Sequence, residues 1–303
     1  MGGSGMRNLE RRYRTLLKVL PRWYRRDREE EMVGIFLAER DDDLDLEHSW
    51  PGWGETGAVL ALAVRTHLAA GAALTSVPSK VARRGEVVRA LGMLGLLLGM
   101  FYAMNMVVTV VVGLGRPFQS PQPWWRVLEL APVVAFAALL IGWRTLAKVV
   151  AAVPLSLVVV SVTATGDPGY VLVWGVFQFP LLVTFVCLCL GFHREAPIPP
   201  ARRLLWWGGG ALLLGVVGGF SGGTGMQTIA VLTLVLRVAV FVRGDGVLGR
   251  ALSLFALAQL VPLLFVVVPS HSYLMPVGVL AALLAVAAVA PVWRRPKAAP
   301  QMG

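Results

Sequence analysis

Cysteine and charge are both scarce in this chain. Only two cysteines occur in 303 residues. Cys187 and Cys189 stand two apart inside an apolar run, and on a helix that spacing turns them to roughly opposite faces. No disulfide framework and no zinc site is expected, so neither metal nor cofactor is assigned. Charged residues make up 15% of the chain and hydrophobic ones 56%, where a soluble domain carries roughly 25% charge. No core could enclose that much apolar surface in water, and lipid is the natural solvent. Acid is scarcer still beyond residue 90, where 13 basic residues face only 4 acidic ones. No apolar run holds an acidic residue at mid-depth, which weighs against a proton- or sodium-coupled transporter. The chain lacks G-x-x-x-x-G-K-[ST], H-E-x-x-H and a dinucleotide fingerprint, so P-loop ATP binding and the corresponding zinc and nicotinamide chemistries are not expected. A cleavable signal peptide is not expected either, because the first apolar run follows about 90 mostly polar residues.

Apolar runs are plentiful. Eight of them cover roughly 91–114, 127–143, 146–164, 171–192, 204–220, 226–242, 251–268 and 273–292, most of them long enough for a hydrocarbon core of ~30 Å. With the N-terminus inside, the inner loops hold 14 Lys and Arg residues and the outer loops only Arg116 and Arg126. That is a positive-inside pattern with both termini cytoplasmic. Trp124, Trp125, Tyr170 and Tyr273 fall in outer loops, as an interfacial aromatic belt requires. The net charge of +11 and pI near 10.6 therefore reflect orientation in the membrane. No basic face is dense enough to hold phosphates, and direct nucleic-acid binding is not expected. The expected fold is all-α: a polytopic membrane bundle of about eight transmembrane helices with a small cytoplasmic helical hairpin at its N-terminus.

The first 46 residues form the hairpin, after Met1–Gly5, which reads as a tag scar or an upstream start. Leu9, Tyr13, Leu16, Leu17 and Leu20 make one helical stripe. Pro21 ends that helix and opens the next, in which Tyr24, Met32, Ile35 and Phe36 share a face. Two such helices bury little alone and need a partner or a third helix. Residues 47–90 supply a linker, following the acidic run Asp41–Glu47, and an amphipathic helix over 55–72. That helix suits the cytoplasmic membrane surface or a seat against the hairpin, and Arg65 and His67 argue against a full span. The basic segment SKVARRGEVVR then precedes the transmembrane domain, 91–303.

Polar groups inside apolar runs are the first place to look for chemistry. They are Asn105, Glu129, Gln178, Arg237 and Gln259. Glu129 and Arg237 lie near enough to span ends to reach the interface. Pro154, Pro180 and Pro262 fall within runs and are candidates for kinks. Gly208–Gly210, Gly215, Gly218 and Gly219 allow close helix approach. Gly219-Phe220-Ser221-Gly222-Gly223 matches G-x-S-x-G, and the topology puts Ser221, His271 and Asp167 on the outer side. The serine lies in a turn between spans, however, not at the strand-to-helix elbow that such a nucleophile uses. A membrane serine hydrolase is a remote alternative.

The segment LERRYRTLLKVLPRWYRRDREEEMVGIFL carries Leu20-Pro21, Trp23-Tyr24-Arg25 and Glu30-Glu31-Met32 in order. Over residues 7–72 it resembles HAAS-type domains, helical signalling modules encoded beside helix-turn-helix regulators. Asp27-Arg28 stand where that pattern often has Tyr-Gly. The resemblance implies that the module contacts a PadR-like transcriptional regulator or another cytoplasmic protein, through Tyr13, Leu16, Leu17, Trp23, Tyr24, Glu30, Glu31 and Met32. The expected function is a non-enzymatic membrane-anchored regulator or sensor, and the alternative is a permease or an accessory subunit of an exporter.

Overall fold

The computed structural model describes residues 8–38, 50–68, 79–113, 124–165, 169, 175–193, 196, 199–220, 226–267 and 274–289. Among these residues every regular element is a helix. The chain divides into two compact units, residues 1–86 and 87–303.

The first unit contains α1 (Asn8–Leu17), α2 (Arg22–Ala38) and α3 (Trp53–Leu68). Leu9, Tyr13, Leu17 and Leu20 enter a single core with Val33 and Phe36 of α2 and Val59 and Ala63 of α3. The Tyr13 and Phe36 rings stack with centroids 3.9 Å apart. The hairpin's apolar stripe is thus completed by a third helix of the same chain. His67 of α3 hydrogen-bonds the Val19 carbonyl at 3.0 Å. Glu55 accepts from the Gly52 N–H at the start of α3, filling one of the donors that a helix N-terminus leaves open. The expected face of α2 needs one correction. Val33 is buried, whereas Ile35 is 58% exposed. With Phe36 in the core, the residue beside it lies about 100° round the helix and the residue three earlier shares its side.

The second unit is built around one long helix. α4 runs Ser79–Gly113, so the basic segment expected to precede the first span forms its opening turns. At 1.5 Å per residue its 35 residues reach ~52 Å, well beyond a hydrocarbon core. A 3-10 helix (Trp124–Leu130) leads into α5 (Ala131–Ile141), and α6 (Arg144–Thr165) returns after Gly142. Gly142 has φ +91°, and the Trp143 N–H reaches back to the Ala138 carbonyl at 2.8 Å. This left-handed stop allows two helices to fold back within two residues. α7 (Phe179–Gly191), α8 (Ala201–Phe220), α9 (Met226–Arg243), α10 (Gly246–Val267) and α11 (Leu274–Val289) follow. Gly244, at φ +73°, ends α9 in the same way. Asp245 then caps α10, its Oδ1 accepting from the Val247 and Leu248 N–H groups at 3.0 and 3.1 Å.

Pro180 stands in the first turn of α7, where its missing N–H costs nothing, and it follows helical residues 175–177 and a single turn residue, Gln178, so it marks a break in the helical run. Pro154 and Pro262 do lie inside helices.

Among the described residues, three helical stretches are long and apolar enough to cross a membrane: Val81–Gly113, Ala201–Phe220 and Gly246–Leu263. Shorter apolar helices cover Val127–Ile141, Phe179–Gly191 and Val277–Val289. Outward positions of this unit carry Val111, Val149, Leu213, Val217, Val235 and Val286, all exposed. A surface of branched aliphatics belongs in lipid, and with the long apolar helices it marks a membrane protein.

Candidate functional site

The residues singled out in the spans lie apart on different helices. Asn105 of α4 faces α8: a Cβ on Gly218 would lie 3.0 Å from its Nδ2. That Nδ2 is buried and makes no hydrogen bond among the described residues. Gln259 of α10 is 7% exposed and its Nε2 is likewise unmatched there. Glu129 lies in the 3-10 helix with its side exposed. Gln178 precedes α7 at the cap position without a side-chain capping bond. Arg237 is the largest fully buried side chain among the described residues. Its Nε donates to the Ala287 carbonyl at 3.1 Å, in the last turn of α11, where carbonyls lack helical partners and the helix dipole favours a cation. Arg237 therefore holds α9 against the end of α11. Among the described residues, no group of three His, Cys, Asp or Glu is placed to hold a metal. Ser221, His271 and Asp167 lie outside the described residues.

A second, half-buried arginine clamp had no motif to announce it. Arg144, at the start of α6, donates from Nη2 to the Ala196 carbonyl at 2.9 Å and from Nη1 to the His193 carbonyl. It binds the chain leaving α7. Arg89 touches the same region, since a Cβ on Gly191 would lie 2.9 Å from the Arg89 Cγ. The only hint in the sequence is an arginine placed right after a glycine stop.

Glycines bring the helices of the second unit together. A Cβ on Gly215 would lie 2.5 Å from the Phe101 carbonyl oxygen, and one on Gly219 would lie 2.7 Å from the Val108 Cβ. Gly208 meets Phe136 of α5 in the same way, whereas Gly209 and Gly210 face open space. On α4, Gly92 and Gly95 admit Cys187 and Thr184 of α7, and Gly99 admits Pro132 of α5. The reading of the α8 glycines extends to these three, whose spacing of three and four residues is visible in the sequence. The crevice among Gly95, Gly99, Pro132, Pro154 and Thr184 has a volume of about 20 Å³, room for about one water.

In the first unit the expected contact residues divide. Tyr13 and Leu17 are buried in the module's own core, and Leu16, Tyr24 and Met32 pack against it half-buried. Trp23 is half-buried, with its ring edge-on to Tyr24 at 5.7 Å. Glu30 is exposed and takes both ends of the Arg14 guanidinium, at 2.7 and 2.9 Å, while Arg14 Nε also holds Glu10 at 2.9 Å. The Arg14 hydrogen bonds hold the Glu30 carboxyl below its ordinary range and, with Glu10, raise the guanidinium. Burial, helped by the nearby Glu55 charge, pushes the Tyr13 phenol up. Glu31 pairs with Arg28 at 2.8 Å. One side of α2 thus shows Arg28, Glu31 and Ile35 to the outside, with Tyr24 and Met32 at its margins.

No protein-family model, curated protein or solved structure matches the chain.

Proposed function

We propose that the protein is a membrane-anchored regulator or sensor whose N-terminal module binds a cytoplasmic regulatory protein, with a PadR-like transcriptional regulator the leading candidate. One observation carries this reading. The first unit has its own three-helix core, and α2 still leaves a mixed strip of Ile35, Arg28 and Glu31 outside it. An aliphatic centre with an ion pair beside it is the ordinary make-up of a small protein contact. The HAAS-type pattern of Leu20-Pro21, Trp23-Tyr24-Arg25 and Glu30-Glu31-Met32 points to the same class of partner. Because Tyr13 and Leu17 serve the core, the contact centres on Ile35.

In this reading the second unit crosses the bilayer eight times, by α4 to α11, with both termini inside. Two observations support that count. Arg144 at the α5–α6 turn reaches the chain after α7, and Gly191 lies beside Arg89 near the start of the first span. Alternating crossings would put all three at the cytoplasmic end, where the positive-inside pattern puts their arginines. The exporter reading has less support. The crevice among α4 to α7 holds about one water and is lined almost entirely by apolar groups.

The test is co-purification from native membranes in mild detergent, comparing the wild-type chain with Ile35→Asp. A helix-turn-helix regulator recovered with the first and lost with the second is the expected result. Recovery of an ATPase or a transport subunit with both would overturn the proposal.

A further inference from the structure

α3 has two apolar faces. One turns Val59 and Ala63 onto the hairpin. On the other stand Trp53, Leu60, Val64 and Leu68, exposed by 93, 45, 46 and 43%. Their spacing of seven, four and four residues, at 100° per residue, puts all four within about 80° of arc. Gly57 and Ala61 fill the same side, so no polar residue interrupts it. Glu55, the one acid of α3, lies on the far side. Arg65 borders the stripe and is exposed, and His67 is engaged by the Val19 carbonyl.

A stripe of this kind is foreign to a water-facing surface, and three features identify what covers it. Ten residues, 69–78, separate Leu68 from the start of α4, so α3 is tethered within ~35 Å of the helix that enters the bilayer. Those ten residues carry no charge, and Lys80, Arg83 and Arg84 follow at once, the groups that settle at an anionic headgroup layer. The stripe itself is aliphatic with a tryptophan at one end and an arginine at its border, the make-up of helices that lie in the membrane interface.

We propose that α3 is such an interfacial helix. Its outward stripe lies at the headgroup–acyl boundary of the inner leaflet, and its inward face carries the α1–α2 hairpin. The module is then presented to its partner in one orientation. This rests on the membrane reading of the second unit.

The experiment uses the full chain, with Cys187→Ala and Cys189→Ala, reconstituted in phosphatidylcholine–phosphatidylglycerol bilayers. Single spin labels are placed by Leu60→Cys, Val64→Cys, Arg26→Cys or Val217→Cys, and their collisions with oxygen and with a water-soluble nickel chelate are measured. Labels at 60 and 64 should lose nickel collisions and gain oxygen collisions as the label at 217 does, while the label at 26 keeps its nickel collisions. Nickel collisions at 60 and 64 equal to those at 26 would overturn the proposal. Shielding from both reagents, the signature of a protein cover, would also overturn it. A label at 217 open to nickel would instead sink the membrane reading on which the proposal rests.

Discussion

The two units of this chain are both helical, yet they differ in what lies at their helix contacts and on their outer faces. The first puts its large side chains inside: Leu9, Tyr13, Leu17 and Phe36 fill the core, and Arg14, Arg28, Glu30 and Glu31 stand outside. The second also buries large side chains, Met100, Phe136, Leu139 and Leu188 among them, but it adds glycines at its helix contacts and carries large aliphatics outside as well. Gly92, Gly95, Gly215 and Gly219 mark its contacts, while Leu213, Val217 and Val235 face outward. The contrast follows from the solvent. In water, hiding large apolar surface drives helices together. In lipid that drive is gone, and close backbone approach supplies the attraction.

The comparison can be broken most sharply by truncating side chains. Leu17→Ala should cost the first unit about 2–5 kcal/mol, because Leu17 is fully buried. Val217→Ala, an equally apolar truncation on the outside of α8, should leave the second unit nearly unchanged. Hydrogen exchange of the full chain in nanodiscs would resolve both. Comparable losses at the two sites would show that the second unit is packed as a soluble core is.

Enlarging glycines reverses the test. Gly215→Val forces a side chain onto the Phe101 backbone, which has no rotamer with which to yield, and should cost about 1–3 kcal/mol. Gly209→Val on the same helix meets nothing within 4 Å and should cost no more than the small helix-propensity difference allows. Steric-trapping unfolding in bilayers compares the pair. Equal behaviour would show that α8 does not seat on α4 through its glycines.

A smaller effect is expected at the buried guanidinium. Arg237→Gln keeps a donor near Ala287 but removes the charge, and should weaken the last turn of α11 by about 1–2 kcal/mol. Faster amide exchange confined to that turn is the expected signature, and global destabilisation would show that the arginine does more than cap.

The smallest effect belongs to the Arg14–Glu30 pair. The Glu30 carboxyl is held below its ordinary range, so the folded module favours the ionised form. Its contribution is present above the unfolded pKa of about 4.3 and is lost as pH falls through the lower folded value. Glu30 is exposed and screened by salt, so the change is slight. Glu30→Gln should flatten the acid limb of the module's protease resistance between about pH 5 and 3 and leave neutral pH almost untouched. A wild-type acid limb would show that other carboxylates account for it.

Much of this was legible in advance. The apolar runs located the helices of the second unit, and the α1 stripe of Leu9, Tyr13, Leu17 and Leu20 pointed to a core. Gly142 and Gly244 end their helices because a left-handed stop favours glycine. The candidate polar residues were found but not their roles. Nothing local tells whether Arg237 lines a path or caps α11, because the Ala287 carbonyl it binds is 50 residues away.

By itself the sequence determined the solvent of each region and the all-helical class, since composition and periodicity are properties of neighbours along the chain. Tertiary structure decided the rest: that α4 is the helix on which α5, α7 and α8 seat, and that Val33 faces in while Ile35 faces out. Each of these depends on what approaches from elsewhere in the chain, and a helix with several apolar faces does not specify from its own residues which face its neighbours will take.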